Sequence, residues 1–196
     1  MNDTQILNTP AIYEEICRKS KEIGFTMPSD RYVGTLLKTL TSSKPGARFL
    51  ELGTGIGLSL AWMLDGMDQD SKLITVDNDA ELSQIARDYF GNDKRVQFVC
   101  EDASVWIKTY EDKKFDLIFA DAWPGKYSEI TEVLNLLKVG GFYIVDDMRT
   151  QANWPEGHQK YVNGLIAYLE NRKDFNITKM NWSTGLVIAV KTENNQ

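Results

Sequence analysis

Phe49-Leu50-Glu51-Leu52-Gly53-Thr54-Gly55-Ile56-Gly57 is the stretch from which the rest of the chain is read. A short apolar run carrying one acid stops at three alternating glycines, and Leu58-Ser59-Leu60-Ala61-Trp62-Met63-Leu64 then has the character of a helix. Glycine is required where backbone turns sharply and lies flat against a ligand, because a Cβ would collide there. A strand feeding such a loop, then a helix, is how α/β proteins build a nucleotide pocket at the carboxyl end of the first strand. Asp77 ends the next strand-like run, Leu73-Ile74-Thr75-Val76-Asp77, where a carboxylate can accept hydrogen bonds from ribose hydroxyls.

The dinucleotide fingerprint fits this loop poorly. It wants Gly-x-Gly-x-x-Gly, but the residue three after Gly55 is Leu58. It also holds a pyrophosphate at the helix N-terminus, whereas Glu51, just before the glycines, suits a cationic or zwitterionic ligand. A nucleoside without phosphates fits better. S-adenosylmethionine, with its ribose, adenine and ammonium group, is the expected ligand.

The 196 residues are long enough for a full core and predict a single domain, 1–196. Within it, residues 1–44 read as N-terminal helices, 45–192 as a Rossmann-like core and 193–196 as a frayed polar tail. A net charge of -6 argues against nucleic acid as the main partner, since phosphate neutralisation needs clustered Lys and Arg. No stretch approaches the roughly 20 apolar residues of a membrane span. Met1-Asn2-Asp3-Thr4 lacks the basic and apolar regions of a signal peptide, so a cytoplasmic protein is expected. Cys17 and Cys100 are far apart, form no metal-type pair, and read as buried free thiols.

Two helices are expected before the sheet, one from about Pro10 to Ile23 and one from Ser29 or Asp30, carrying Val33, Leu36, Leu37 and Leu40 at helical spacing. Strand-like runs at Arg48–Leu52, Lys72–Val76, Val96–Cys100, Phe115–Ala120 and Phe142–Val145 then alternate with helices starting near Ile56, Ala80, Ala103 and Tyr127. That alternation predicts a parallel sheet. The end differs: a helix over Gln159 to Asn171 leads to Phe175–Met180, and Trp182-Ser183-Thr184-Gly185 separates it from Leu186–Lys191. Two strands joined so briefly must be antiparallel.

This layout resembles the class I S-adenosylmethionine-dependent methyltransferases, with a seven-stranded sheet in the order 3-2-1-4-5-7-6 and two additional N-terminal helices. Within them the chain is most similar to the catechol and caffeoyl-CoA type of O-methyltransferase. The residues that carry the likeness are Glu51 to Ser59, Val76-Asp77-Asn78, and Asp116-Leu117-Ile118-Phe119-Ala120-Asp121-Ala122-Trp123. The resemblance implies a cofactor site including Glu51, Gly53, Thr54, Gly55, Gly57, Ser59, Asp77, Asn78, Asp102, Ala103, Asp121 and Trp123. It also implies a divalent cation (Mg²⁺, or Mn²⁺ or Ca²⁺) on Asp121, Asp146 and Asp147. Two departures stand out: the family's catalytic lysine lies three residues after the strand 4 acid, where this chain has Pro124, and its Asp-Asn pair at strand 5 is Asp146-Asp147 here.

Read without the family, Asp121, Asp146 and Asp147 are expected as neighbours at strand ends, and an all-oxygen cluster suits a hard divalent cation. Each residue also has a plainer reading. Asp102 can simply cap a helix, Trp123 can be core, and Lys126 reads more readily as a solvated surface lysine than as a base. His158, the only histidine, either begins the last helix or serves the site from the loop after strand 5. The expected activity is methyl transfer to a small-molecule acceptor, at a hydroxyl oxygen, with the divalent cation as the main activator of that hydroxyl and His158, then Lys126, as candidate catalytic residues. The rivals are a metal-free N- or C-methyltransferase and a non-catalytic adenosyl-binding protein. The N-terminal helices suit either a substrate lid or a homodimer contact.

Overall fold

The computed structural model describes residues 2–193, so all of the expected frayed tail beyond Glu193 lies outside the described residues. Seven strands, β1 Arg48–Leu52, β2 Lys72–Asp77, β3 Val96–Cys100, β4 Phe115–Ala120, β5 Leu137–Val145, β6 Phe175–Met180 and β7 Leu186–Lys191, alternate with helices. The helices are α1 Tyr13–Glu22, α2 Arg31–Ser42, α3 Leu58–Gly66, α4 Ala80–Phe90, α5 Ala103–Thr109, α6 Ile130–Asn135 and α7 Gln159–Glu170. The strands form one sheet in the order β3-β2-β1-β4-β5-β7-β6, the order that the resemblance implies. β7 runs antiparallel to both β5 and β6.

Packing divides the chain into two compact units: the residues up to Phe49 with Gly53–Glu101, and Leu50–Leu52 with the residues from Asp102 on. In the first, Tyr13 and Ile16 of α1, Val33 and Leu37 of α2, and Leu60, Trp62 and Met63 of α3 form the core. The Tyr13 and Trp62 rings meet edge to face at 5.2 Å. Leu58 through Leu64 are all buried, which explains why α3 is apolar on every side rather than striped. Asp30 and Asp79 cap α2 and α4 by accepting from backbone N–H groups one turn ahead. The expectation of two buried thiols is corrected here, because Cys17 is half-buried and Cys100, at the end of edge strand β3, is exposed.

In the second unit, Phe115, Leu117, Ile118 and Phe119 of β4, Tyr143, Ile144 and Val145 of β5, and Val187 and Ala189 of β7 form the centre. Val162, Leu165 and Leu169 of α7 are buried at helical spacing. Two boundaries differ from expectation. β5 begins at Leu137 rather than Phe142, because its register against β4 shifts between Phe115 and Leu117 and the glycine pair Gly140-Gly141 lies within the bulged stretch. α6 begins at Ile130 rather than Tyr127, because the preceding residues are held in a tight turn and Glu129 has a left-handed φ of 50°. Among the described residues, no helix is long and apolar enough to cross a membrane.

Candidate active site

In the first unit, the loop after β1 is shaped by its glycines and by one carboxylate. Gly53, Gly55 and Gly57 have φ of 97°, 50° and 92°, a region that disfavours side chains bearing a Cβ. The loop is tied at both ends, Gly53 N donating to Val76 O at 2.9 Å and Gly57 N to Thr54 O at 2.9 Å. Asp77, half-buried at the end of β2, accepts from Gly55 N at 2.8 Å through one oxygen and from Asp79 N at 2.9 Å through the other. The acid expected to meet a ribose therefore also moulds the loop. The Thr54 hydroxyl pairs with that of Thr75 at 2.5 Å in a buried position and braces the loop, and Ser59, in the first turn of α3, is buried. Asn78 is exposed beside Asp77. The Phe25 ring lies 3.2 Å from where a Cβ on Gly55 would sit, a residue that the periodicity of the sequence gives no reason to select. A left-handed glycine backbone beside a carboxylate provides a cradle for a nucleoside with free ribose hydroxyls.

In the second unit, three acids converge. Asp121 follows β4, its N–H donating to Leu52 O at 2.8 Å. Asp146 and Asp147 follow β5. Asp147 has φ of 53°, a left-handed conformation held from the β6–β7 turn: its N–H donates to Thr184 Oγ1 at 3.2 Å, and Met148 N donates to Gly185 O at 3.0 Å. One carboxylate oxygen from each acid lies within 4.8 Å of the other two. Glu51, on β1, is fully buried.

Lys126 is the principal correction to the sequence reading. It is not a solvated surface lysine: it is only 5% exposed. Its Nζ lies 3.3 Å from Asp146 Oδ1 and 3.7 Å from Asp121 Oδ1. The turn before it explains the reach. Gly125 has φ of +86°, its N–H donates to Ser128 O at 2.7 Å, and its carbonyl accepts from the buried Tyr143 hydroxyl at 2.5 Å. The backbone thus doubles back, and a lysine two residues beyond the family's position still points into the acids. Burial alone pulls the Lys126 ammonium down, but the charges of Asp146 and Asp121 outweigh it and hold the group above the usual lysine range. Burial, then the Asp146 charge, pushes the Asp121 carboxyl well above the usual carboxylate range, with Lys126 opposing. Three carboxylates are the donor set of a hard divalent ion. With the ammonium seated between Asp121 and Asp146, however, they do not fit one.

Around the acids stands an aromatic group that the sequence reading did not assemble. The Trp123 ring lies 5.0 Å from Tyr127 and 4.8 Å from Tyr161, both edge on, and His158 lies 5.2 Å from Tyr127 and 4.5 Å from Trp154. Trp123 is 46% exposed and so is not core. The one available signal was spacing: Trp123 and Tyr127 are four residues apart, and His158 and Tyr161 three. His158 precedes α7 without capping it by its side chain, and its Nε2 shares a 3.2 Å hydrogen bond with the Tyr127 hydroxyl. Burial and the Lys126 charge lower its pKa, favouring the neutral imidazole that can accept a proton. Asp102 is the N-cap of α5, accepting from Ser104 N at 2.7 Å, and Ala103 beside it is buried.

Residues 8–172 match the O-methyltransferase family, and the chain belongs to that family. A Mycobacterium avium protein whose name places it among O-methyltransferases is 33% identical over 118 residues, 58% of this chain and 53% of that one. A Mycobacterium leprae relative named in the same way is 30% identical over 144 residues, 71% of this chain and 64% of that one. The chain thus spans about half the length of the first of these relatives and under two thirds of the second. Among solved structures, the O-methyltransferase TomG of Streptomyces achromogenes, in complex with SAM, superposes with a TM-score of 0.84 at 21% identity, covering 97% of this chain and 93% of that one. An O-methyltransferase from Bacillus cereus in complex with SAH gives 0.82 at 18% identity, covering 96% and 94%. The fold is the expected seven-stranded class I methyltransferase sheet.

Proposed function

We propose that this protein transfers a methyl group from S-adenosylmethionine to a hydroxyl oxygen of a small-molecule acceptor, in the cytoplasm. The observation that carries the reading is the left-handed glycine loop closed by Asp77, in a chain of the O-methyltransferase family. Two relatives of the same fold were solved with SAM or SAH, which supports the choice of ligand. In this reading Asp77 takes the ribose hydroxyls, the glycine backbone lies under the sugar and methionine portion, and Asp102 and Ala103 serve the adenine.

S-adenosylmethionine, held by Asp77 and the glycine loop, would supply an electrophilic methyl carried on a sulfonium, whose departure leaves the electron pair on sulfur. The chain's own part is to orient the acceptor, take its proton and hold the developing oxyanion. Trp123, Tyr127 and Tyr161 offer ring faces and edges for a planar acceptor. His158, held neutral, accepts the hydroxyl proton. Lys126, kept charged, is no base; its N–H groups instead face the oxyanion and stabilise it electrostatically.

Calorimetry with S-adenosylhomocysteine tests the cofactor assignment. Loss of a charge-assisted hydrogen bond costs about 1.5–3 kcal/mol, so Asp77→Ala weakens binding by at least about tenfold. Preserved affinity in that variant, or tighter binding of a nicotinamide dinucleotide by the wild type, would sink it.

A further inference from the structure

Three carboxylates gathered within 4.8 Å need positive charge close by, and the chain supplies one. We propose that the Lys126 ammonium is the resident cation of the Asp121–Asp146–Asp147 cluster, and that while seated there it keeps divalent ions out. The inference rests on the geometry of the acids and the lysine, and stands or falls apart from the methyl-transfer reading.

Three observations converge. First, the lysine is committed to the site: it is almost fully buried, and its Nζ contacts two of the three acids at 3.3 and 3.7 Å. Second, its approach is built in advance. The Gly125 turn is clamped by the Tyr143 hydroxyl and by Ser128 O, so the side chain enters the cluster from a fixed backbone rather than from a mobile arm. Third, the positive charge already lies against the oxygens a divalent ion would need: Nζ sits at ion-pair distance from a carboxylate oxygen of Asp121 and of Asp146. An ion approaching Asp121 and Asp146 would meet a like charge at the centre of its own site, where low solvent exposure leaves the repulsion poorly screened. The groups facing Nζ are Asp121, Asp146, Asp147 and the Tyr127 ring, whose centroid is 5.8 Å away. An oxygen arriving at this cluster therefore meets an N–H donor where the family's pattern has a metal.

Manganese is the probe, read by electron paramagnetic resonance and calorimetry on the full chain without cofactor or acceptor. The wild type is expected to show no saturable Mn²⁺ site below about 1 mM. Lys126→Met, which keeps the length of the side chain and removes its charge, is expected to gain a single site at least about tenfold tighter. Adding Asp146→Asn in that background should abolish it. If Lys126→Met does not fold by circular dichroism, Lys126→Gln, whose amide can still donate to Asp146, carries the same expectation. A wild-type Mn²⁺ site tighter than 1 mM that Asp146→Asn removes would overturn the proposal. So would a folded Lys126→Met or Lys126→Gln protein that binds Mn²⁺ no better than the wild type. None of these measurements uses methyl transfer, so a failed search for turnover leaves the cation question decidable, and the reverse holds too.

Discussion

Gly125→Ala tests whether the turn that delivers Lys126 depends on having no side chain. The added Cβ would lie 2.4 Å from Leu52 Cδ1 and 3.2 Å from Val133 Cγ2, at a φ of +86°. A left-handed conformation costs an L-residue about 1–2 kcal/mol. Leu52 and Val133 are both fully buried, so the leucine cannot simply swing into solvent, and overpacking of this kind costs about 1–3 kcal/mol. Restricting the unfolded chain returns about 0.4–1 kcal/mol. The net loss is about 3 kcal/mol. With a urea dependence of about 2 kcal/mol per molar, the unfolding midpoint should fall by about 1.5 M. Tryptophan fluorescence during urea titration reads it, and trimming Leu52 to Val in the same background should recover part of the loss by relieving the contact. A midpoint within about 0.2 M of the wild type would refute the reasoning, since neither the strain nor the clash would then exist.

Asp121→Asn should change how stability depends on pH. A carboxyl pushed above its ordinary value keeps its proton in the folded state after the unfolded chain has lost it, so its stabilising contribution is complete below the ordinary aspartate value of 3.8 and is lost as pH rises through the raised one. The amide removes that slope, so chemical denaturation at pH 5 and pH 8 should show a smaller fall for the variant than for the wild type; an equal fall in both would refute it. His158→Ala should lower turnover by about 10²–10⁴-fold and leave S-adenosylhomocysteine affinity intact. Because burial and Lys126 depress the imidazole, the acid limb of the wild-type pH–rate profile should lie below the ordinary histidine value of 6.5 and vanish in the variant, whereas unchanged turnover would remove His158 from the proton transfer.

The succession of strands and helices and the glycine loop were legible in the sequence because both rest on local signals, whereas the strand order came with the family resemblance. Apolar runs of strand length punctuated by turns set the alternation, and five residues between Met180 and Leu186 leave room only for an antiparallel return. The convergence of Asp121, Asp146 and Asp147 was legible too, since acids at strand ends share an edge. Lys126 was not. Whether it reached the acids depended on how far Gly125 folds the chain back, and that depends on the Tyr143 hydroxyl, 18 residues away. The aromatic group was hidden for the same reason, because Trp123 and Tyr161 meet only after α7 packs. Asp77 shows the opposite case: its place was read correctly, while its bond to Gly55 N–H was not, since a side chain closing a loop 22 residues distant leaves no periodic trace.

The left-handed backbone of Asp147 also says something about when this site comes into being. Its amide is held by Thr184, 37 residues later, within the turn that joins the last two strands. During synthesis the chain emerges amino end first. The glycine loop, with both its ties inside the first hundred residues, can take shape while the ribosome is still working. The acid cluster cannot, because its third member waits for Thr184 and the turn between β6 and β7. On the proposed reading, a nascent chain has its cofactor loop before it has its acceptor site.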